Sequence, residues 1–218
     1  MTPLELNEAI AGMPYVTKQN LGVLLGVTAA TLDYRVRRLQ ATGALIPLRS
    51  GLYANGSMWQ QVQEQPGQSA LYAESMAGVL RTPSYVSLEY VLANAGIIPE
   101  SPFAITCVTI KTPRTYRTRV ATFIYRSMKP ELFNGYKTVA YRGVEIRKAT
   151  VAKALFDTIY LRPFRTANDM RTYLLEGGRF NWDAVSASER GRFATTVRRA
   201  GSPKMTRAMS ILAKEGIL

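Results

Sequence analysis

Apolar positions recur at helical spacing near the start of the chain, at strand spacing through its middle and at helical spacing again towards its end. In the first stretch, Leu21, Leu24 and Leu25 fall on one face of a helix that Thr17 can cap. Gly26-Val27-Thr28 then offers a glycine able to take a positive φ, an apolar plug and a second N-cap. Leu32, Val36 and Leu39, at i, i+4 and i+7, predict a second helix from Ala29 to about Thr42, with Gly43 as its stop. Ala44–Leu48 and Leu52–Ala54, around Arg49-Ser50-Gly51, predict two short strands. Ahead of this unit, a short helix is expected from Pro3 to Gly12, with Thr2 as N-cap and Leu6, Ala9 and Ile10 facing inward.

Asn55-Gly56-Ser57 and the glutamine-rich run Gln60–Gln68 are poor in core formers and predict a boundary. A helix is expected from Ser69 to about Leu80, then a break at Pro83, then a helix capped by Ser87 and ending before Gly96. Phe103–Ile110, Val120–Arg126, Lys137–Tyr141 and Val144–Arg147 are rich in β-branched and aromatic residues and predict one small, mostly antiparallel sheet. From Thr150 the period turns helical, over 151–160, 167–176, 188–200 and 203–215, with Ser202 capping the last. The predicted fold class is α+β. It comprises an N-terminal winged helix-turn-helix domain over 1–58, a linker over 59–68, and an α+β domain over 69–218 whose C-terminal part is helical.

A helix-turn-helix followed by a hairpin presents its second helix to the major groove of DNA. Ala30, Thr31, Tyr34, Arg35 and Arg38 lie away from the apolar stripe of that helix, with Arg37 on the flank. Small residues at its start allow close approach to base edges, and Arg offers a two-pronged donor to guanine. Thr31, Tyr34, Arg35 and Arg38 are the expected base readers, and Lys18, Arg37 and Arg49 the expected phosphate contacts. Gln19 and Thr28 complete the DNA-binding set. Only Asp33 is interleaved with these arginines, so intrahelical ion pairing does not account for them.

A net charge of +13 and a pI near 10.1 favour a polyanionic partner. The charge is unevenly placed, since residues 1–81 hold 6 Lys+Arg against 5 Asp+Glu while residues 82–218 hold 22 against 10. Lys111, Arg114, Arg117 and Arg119, around Tyr116, read either as a loop that touches nucleic acid or as a solvated edge that discourages strand aggregation. Arg190, Arg198, Arg199, Lys204 and Arg207 on the last helices form a candidate surface for a polyanion or an acidic protein.

Catalytic readings start poorly. The chain has no histidine, and its single cysteine, Cys107, sits in an apolar run that predicts a buried strand thiol. Glu145-Ile146-Arg147 is the nearest approach to a nuclease site and lacks the lysine and acidic partner such a site needs. No catalytic residue, metal site or cofactor is expected. No apolar run reaches the ~20 residues of a membrane span, and the N-terminus lacks the layout of a signal peptide, so a soluble cytoplasmic protein is expected.

Several segments, in order, resemble the AbiEi-type antitoxins of type IV toxin–antitoxin pairs. They are Pro83–Glu89 through Gly96–Glu100, Ile105-Thr106 with Val108-Thr109, Phe123–Arg126, Lys129–Phe133 with Gly135-Tyr136, and Ala149–Asp157. With the Gly51-Leu52-Tyr53 ending of the hairpin, the likeness spans about residues 15–161. Tyr90, Ala95 and Val151-Ala152 depart from the pattern of many relatives. The resemblance implies an N-terminal domain that binds repeated sites in its own promoter DNA and represses it. It also implies a C-terminal domain that counteracts a nucleotidyltransferase-like toxin, for which the basic residues above would be the surface. Type IV pairs act without direct toxin contact, but a C-terminal module that grips the toxin, or an RNA it acts on, is the alternative, as is a stand-alone transcriptional regulator.

Overall fold

The computed structural model describes residues 8–218. Half of the helix expected over Pro3–Gly12, including Pro3 and Leu6, lies outside the described residues, as does its expected cap Thr2; residues 8–10 are helical, with Ile10 buried and Ala9, expected to face inward, exposed. The described residues form two compact units, one from residues 8–82, Thr115–Phe123 and Val139–Ile146, the other from Pro83–Arg114, Ile124–Thr138 and Arg147–Leu218.

In the first unit, β1 (Tyr15–Thr17) leads into α1 (Lys18–Leu25), where Thr17 accepts a hydrogen bond from the Asn20 amide at 3.1 Å. Gly26 ends the helix at φ 58°, a left-handed conformation that costs glycine little. Then α2 (Ala29–Ala41) follows, and β2 (Leu45–Arg49) and β3 (Leu52–Asn55) form a hairpin. β3 pairs antiparallel with β1 as well, which gives a three-stranded sheet in the order β1-β3-β2. Leu21, Leu32, Val36, Leu39, Leu45 and Tyr53 bury together with Ile10 and Val16, so the apolar spacing of both helices converges on one small core. Thr28 stands at the N-cap position of α2 but makes no capping bond; its hydroxyl meets that of Thr31 at 3.1 Å.

The linker expected over 59–68 is instead largely helical. Asn55 caps α3 (Gly56–Gln63) by accepting from the Met58 amide at 3.1 Å, while its side-chain amide donates to Ile10 and Met13 carbonyls at 2.8 and 3.1 Å. Met58 and Val62, one helical turn apart, are buried and leave the glutamines outside. Gly56 is fixed by close approach, because a Cβ there would lie 1.8 Å from the Gly43 carbonyl oxygen. After a turn, α4 (Gln68–Leu80) belongs to the same unit, where the Tyr72 hydroxyl donates to the Pro14 carbonyl at 2.5 Å. A polar composition had suggested a spacer, but two buried apolar residues and a capped start suffice for a helix that packs.

The larger sheet runs in the order β6-β7-β5-β4-β9-β8, from β4 (Ser84–Val86), β5 (Ile105–Thr109), β6 (Arg114–Arg117), β7 (Thr122–Ser127), β8 (Tyr136–Tyr141) and β9 (Val144–Ala149). β4 pairs antiparallel with β5 and parallel with β9, so the expected mostly antiparallel sheet carries a parallel pairing between these two strands. The basic stretch Lys111–Arg119, expected as a loop, contributes the edge strand β6, with Arg114 and Arg117 exposed along it. Cys107 is fully buried in β5. The second unit adds α5 (Leu88–Asn94), α6 (Val151–Leu161), α7 (Ala167–Thr172), α8 (Ala187–Ala200) and α9 (Pro203–Lys214). The helix expected over 167–176 changes character midway, α7 giving way to a π-turn over Tyr173–Gly177. Ser202 precedes α9 without a side-chain capping bond. No described helix is long and apolar enough to cross a membrane.

Candidate nucleic-acid interface

Helix α2 divides its faces as its spacing predicts. Leu32, Val36 and Leu39 are buried, whereas Thr28, Ala30, Thr31, Arg37 and Arg38 are exposed and Tyr34 is 66% exposed. Arg35 is half-buried on the boundary between the two faces. A long tyrosine left this open to water beside two arginines contributes little to the fold and is available to a partner. Gln19 is exposed at the start of α1, and Arg49 is exposed at the end of β2, next to the hairpin turn. The Gly51 carbonyl in that turn accepts from the Lys18 amide at 2.8 Å, which holds the hairpin tip beside the start of α1.

Lys18, expected to hold phosphate, is ion-paired with Asp33. The hydrogen bond and charge of Lys18 hold the Asp33 carboxyl below its ordinary value, and both side chains keep somewhat under half of their surface in water. The pair links α1 to α2 and competes with any phosphate for the ammonium.

The C-terminal basic residues do not act as a set. Lys111, Arg114, Arg117 and Arg119 are exposed, as are Arg198, Arg199 and Arg207. Arg190 is structural: its guanidinium donates to the carbonyls of Val185, Trp182 and Ile217 at 2.9, 2.7 and 2.8 Å, tying the start of α8 to the preceding turn and the chain end. Lys204 is similarly committed, donating to the carbonyls of Tyr160 and Arg162, so its ammonium closes the C-terminal end of α6. Burial, and then the charge of Arg126, lower its proton affinity. Both residues leave the expected polyanion surface, because backbone carbonyls already hold their donors.

In the second unit, side chains from distant segments meet around Asp157. Tyr85 and Ser87 donate to Asp157 Oδ2 at 3.0 and 2.8 Å, and Lys153 Nζ donates to Asp157 Oδ1 at 2.7 Å and to the Leu132 carbonyl at 2.7 Å. Gly135 lies against the Lys153 side chain, and Tyr85 packs between Phe133 and Tyr136 at 5.0 Å from each. Burial pushes the Asp157 carboxyl up, and Lys153, Ser87 and Tyr85 pull it back down. Tyr85 is pushed up by burial and by the neighbouring carboxylate, which keeps its hydroxyl a donor. Ser87, expected to cap α5, spends its hydroxyl on this network instead. Lys153 and Asp157 are paired and buried almost completely, so the network helps to organise the fold.

Sequence reasoning missed a cavity of about 690 Å³ in the same unit, lined by Glu89, Phe103, Arg126, Arg162, Tyr173 and Phe180 among others. These residues are scattered over some ninety positions with no shared spacing, and no linear signal joins them. No protein-family model matches the chain, and no curated protein matches it.

Proposed function

We propose that this protein is a DNA-binding autorepressor of the winged helix-turn-helix type, and that its remaining half serves as the antitoxin of a type IV pair opposing a nucleotidyltransferase-like toxin. The observation that carries the DNA reading is the uncovered face of α2, with Ala30, Thr31, Tyr34, Arg37 and Arg38 open to solvent and small residues at the helix start. In this reading such a face meets base edges with Arg38 and Tyr34, and the exposed Arg37, Gln19 and Arg49 serve as phosphate contacts. Arg35, half-buried, is a secondary reader. The antitoxin reading rests on the resemblance of residues 15–161 and on the excess of cationic residues after position 82.

Duplex DNA from upstream of the chain's own gene, titrated with the full-length protein, tests the reading. Arg38→Ala is expected to cost about 1–3 kcal/mol at one base position and to relax sequence preference there. Arg37→Ala is expected to weaken all sequences alike and flatten the salt dependence by about one counterion. Unchanged affinity and preference in Arg38→Ala and Tyr34→Ala together would overturn the assignment of the recognition helix. The alternative, a C-terminal module that grips the toxin or an RNA, is supported by the exposed arginines of β6, α8 and α9. Capture of the toxin by the full-length chain, lost when Arg198, Arg199 and Arg207 are replaced together, would favour it.

A further inference from the structure

The cavity in the second unit is built with more care than a packing defect requires. Its wall includes Glu89, which follows Leu88, a fully buried residue held at φ 62°. A bulky side chain rarely adopts the left-handed region, and such strain persists where surrounding structure imposes it. The lining also includes Tyr173 and Gly177, the two ends of the π-turn Tyr173–Gly177, an uncommon element that often marks functional sites. The turn closes on Gly178, where a Cβ would fall 2.5 Å from the Phe180 ring and 2.7 Å from the Tyr173 carbonyl, and on Arg179 at φ 50°.

The chemistry inside is mixed in a particular way. Glu100 is already engaged by Arg179 at 2.7 Å. Glu89, in contrast, accepts no hydrogen bond among the described residues. Arg126 donates through one nitrogen to the Leu161 carbonyl at 2.8 Å, and its other donors have no partner among the described residues. The Arg162 guanidinium carbon lies 4.0 Å from the Tyr173 ring centroid, and the guanidinium N–H groups have no hydrogen-bond partner among the described residues. Phe103, at the rim, is 88% exposed, although a phenylalanine gains nothing from water. The cavity therefore offers two aromatic walls, one free carboxylate and two guanidiniums, and its volume falls within the ~300–1,000 Å³ of small-molecule sites.

We propose that this cavity binds a nucleoside monophosphate unit whose base carries an exocyclic amine. The ring packs against Phe103 and Phe180, the Glu89 carboxylate accepts from the amine, and Arg126 and Arg162 hold the phosphate. The carboxylate selects cytosine, adenine or guanine over uracil, which presents carbonyl oxygen where the others present an amine. The unit can be a free nucleotide or the end of a single strand. This inference stands apart from the reading of α2, because its residues and its readout are different.

Titration of the full-length protein with CMP, AMP, UMP and ribose 5-phosphate, followed by calorimetry or Trp182 fluorescence, tests it. CMP and AMP are expected to saturate, UMP to bind about tenfold more weakly, and ribose 5-phosphate more weakly still. Phe103→Ala, which removes a side chain that packs on almost nothing and so should leave folding intact, is expected to weaken CMP about tenfold. Glu89→Gln is expected to narrow the gap between CMP and UMP, because an amide can donate to the uracil oxygen. Competition by a short oligonucleotide ending in cytidine would identify a strand end as the source; competition by CMP alone would identify the free nucleotide, and either supports the site. Failure of every nucleotide to saturate by ~5 mM, or equal binding of CMP and ribose 5-phosphate, would overturn the proposal, as would CMP affinity unmoved in both variants.

Discussion

Single side chains in this protein take on roles that their type alone does not announce. Lys153 and Asp157, at i and i+4, look like an ordinary helical ion pair, yet both are buried almost completely. Removing one partner of such a pair leaves a charge stranded in a medium that cannot solvate it. Asp157→Asn is expected to lower unfolding free energy by about 3–5 kcal/mol in urea titration, far above the ~0.3–0.5 kcal/mol of an exposed helical pair. A loss below ~1 kcal/mol would show the network to be dispensable. Asp33 is the opposite case. Its pairing with Lys18 is solvent-exposed, so it contributes little to stability. Because Lys18 lowers the Asp33 proton affinity, that contribution is present above the ordinary aspartate value of 3.8 and is lost as pH falls through the lowered one. Asp33→Asn releases the Lys18 ammonium, and it is expected to tighten DNA binding and raise the salt slope by about one. An unchanged slope would mean that Lys18 touches no phosphate.

At the level of elements, capping separates residues that sequence treats alike. Thr17 and Thr28 both precede helices, but only Thr17 accepts an amide hydrogen bond. Thr17→Ala is expected to cost about 1 kcal/mol and Thr28→Ala a few tenths, compared by urea midpoints at constant slope. Equal losses would mean that Thr28 caps α2 in solution after all. The same distinction explains the glutamine-rich stretch. Met58 and Val62 stand one helical turn apart after the Asn55 cap, but polar composition hid them, because their burial depends on a surface supplied by residues far away in the chain. The basic run Lys111–Arg119 likewise left open whether its charges flank a loop or line a strand. Strand β6 forms because β7 is there to pair with it, and its exposed arginines then sit on a sheet edge, where charge deters further pairing.

For the whole molecule, composition makes a prediction that no local feature makes. With no histidine anywhere in the chain, little is poised to titrate between about pH 5.5 and 7, so affinity for DNA is expected to stay flat across that range at fixed salt. A steep change there, measured by titration of labelled duplex, would reveal a carboxylate shifted upward at the interface. The sequence by itself determined most of the helices, the hairpin and most of the strands, though not α3 or the π-turn, because period, caps and breakers act over a few residues and need no partner to be read. It also determined which face of α2 stays in water, since Leu32, Val36 and Leu39 leave only one way for that helix to lie. Only tertiary structure decided that Arg190 and Lys204 turn inward to carbonyls, that Ser87 serves Asp157 rather than a helix end, and that a strained Leu88 stands beside a cavity. Those outcomes depend on groups brought together from distant positions, and the free energy that sets them is the cost of leaving a donor, a charge or an apolar wall without its counterpart.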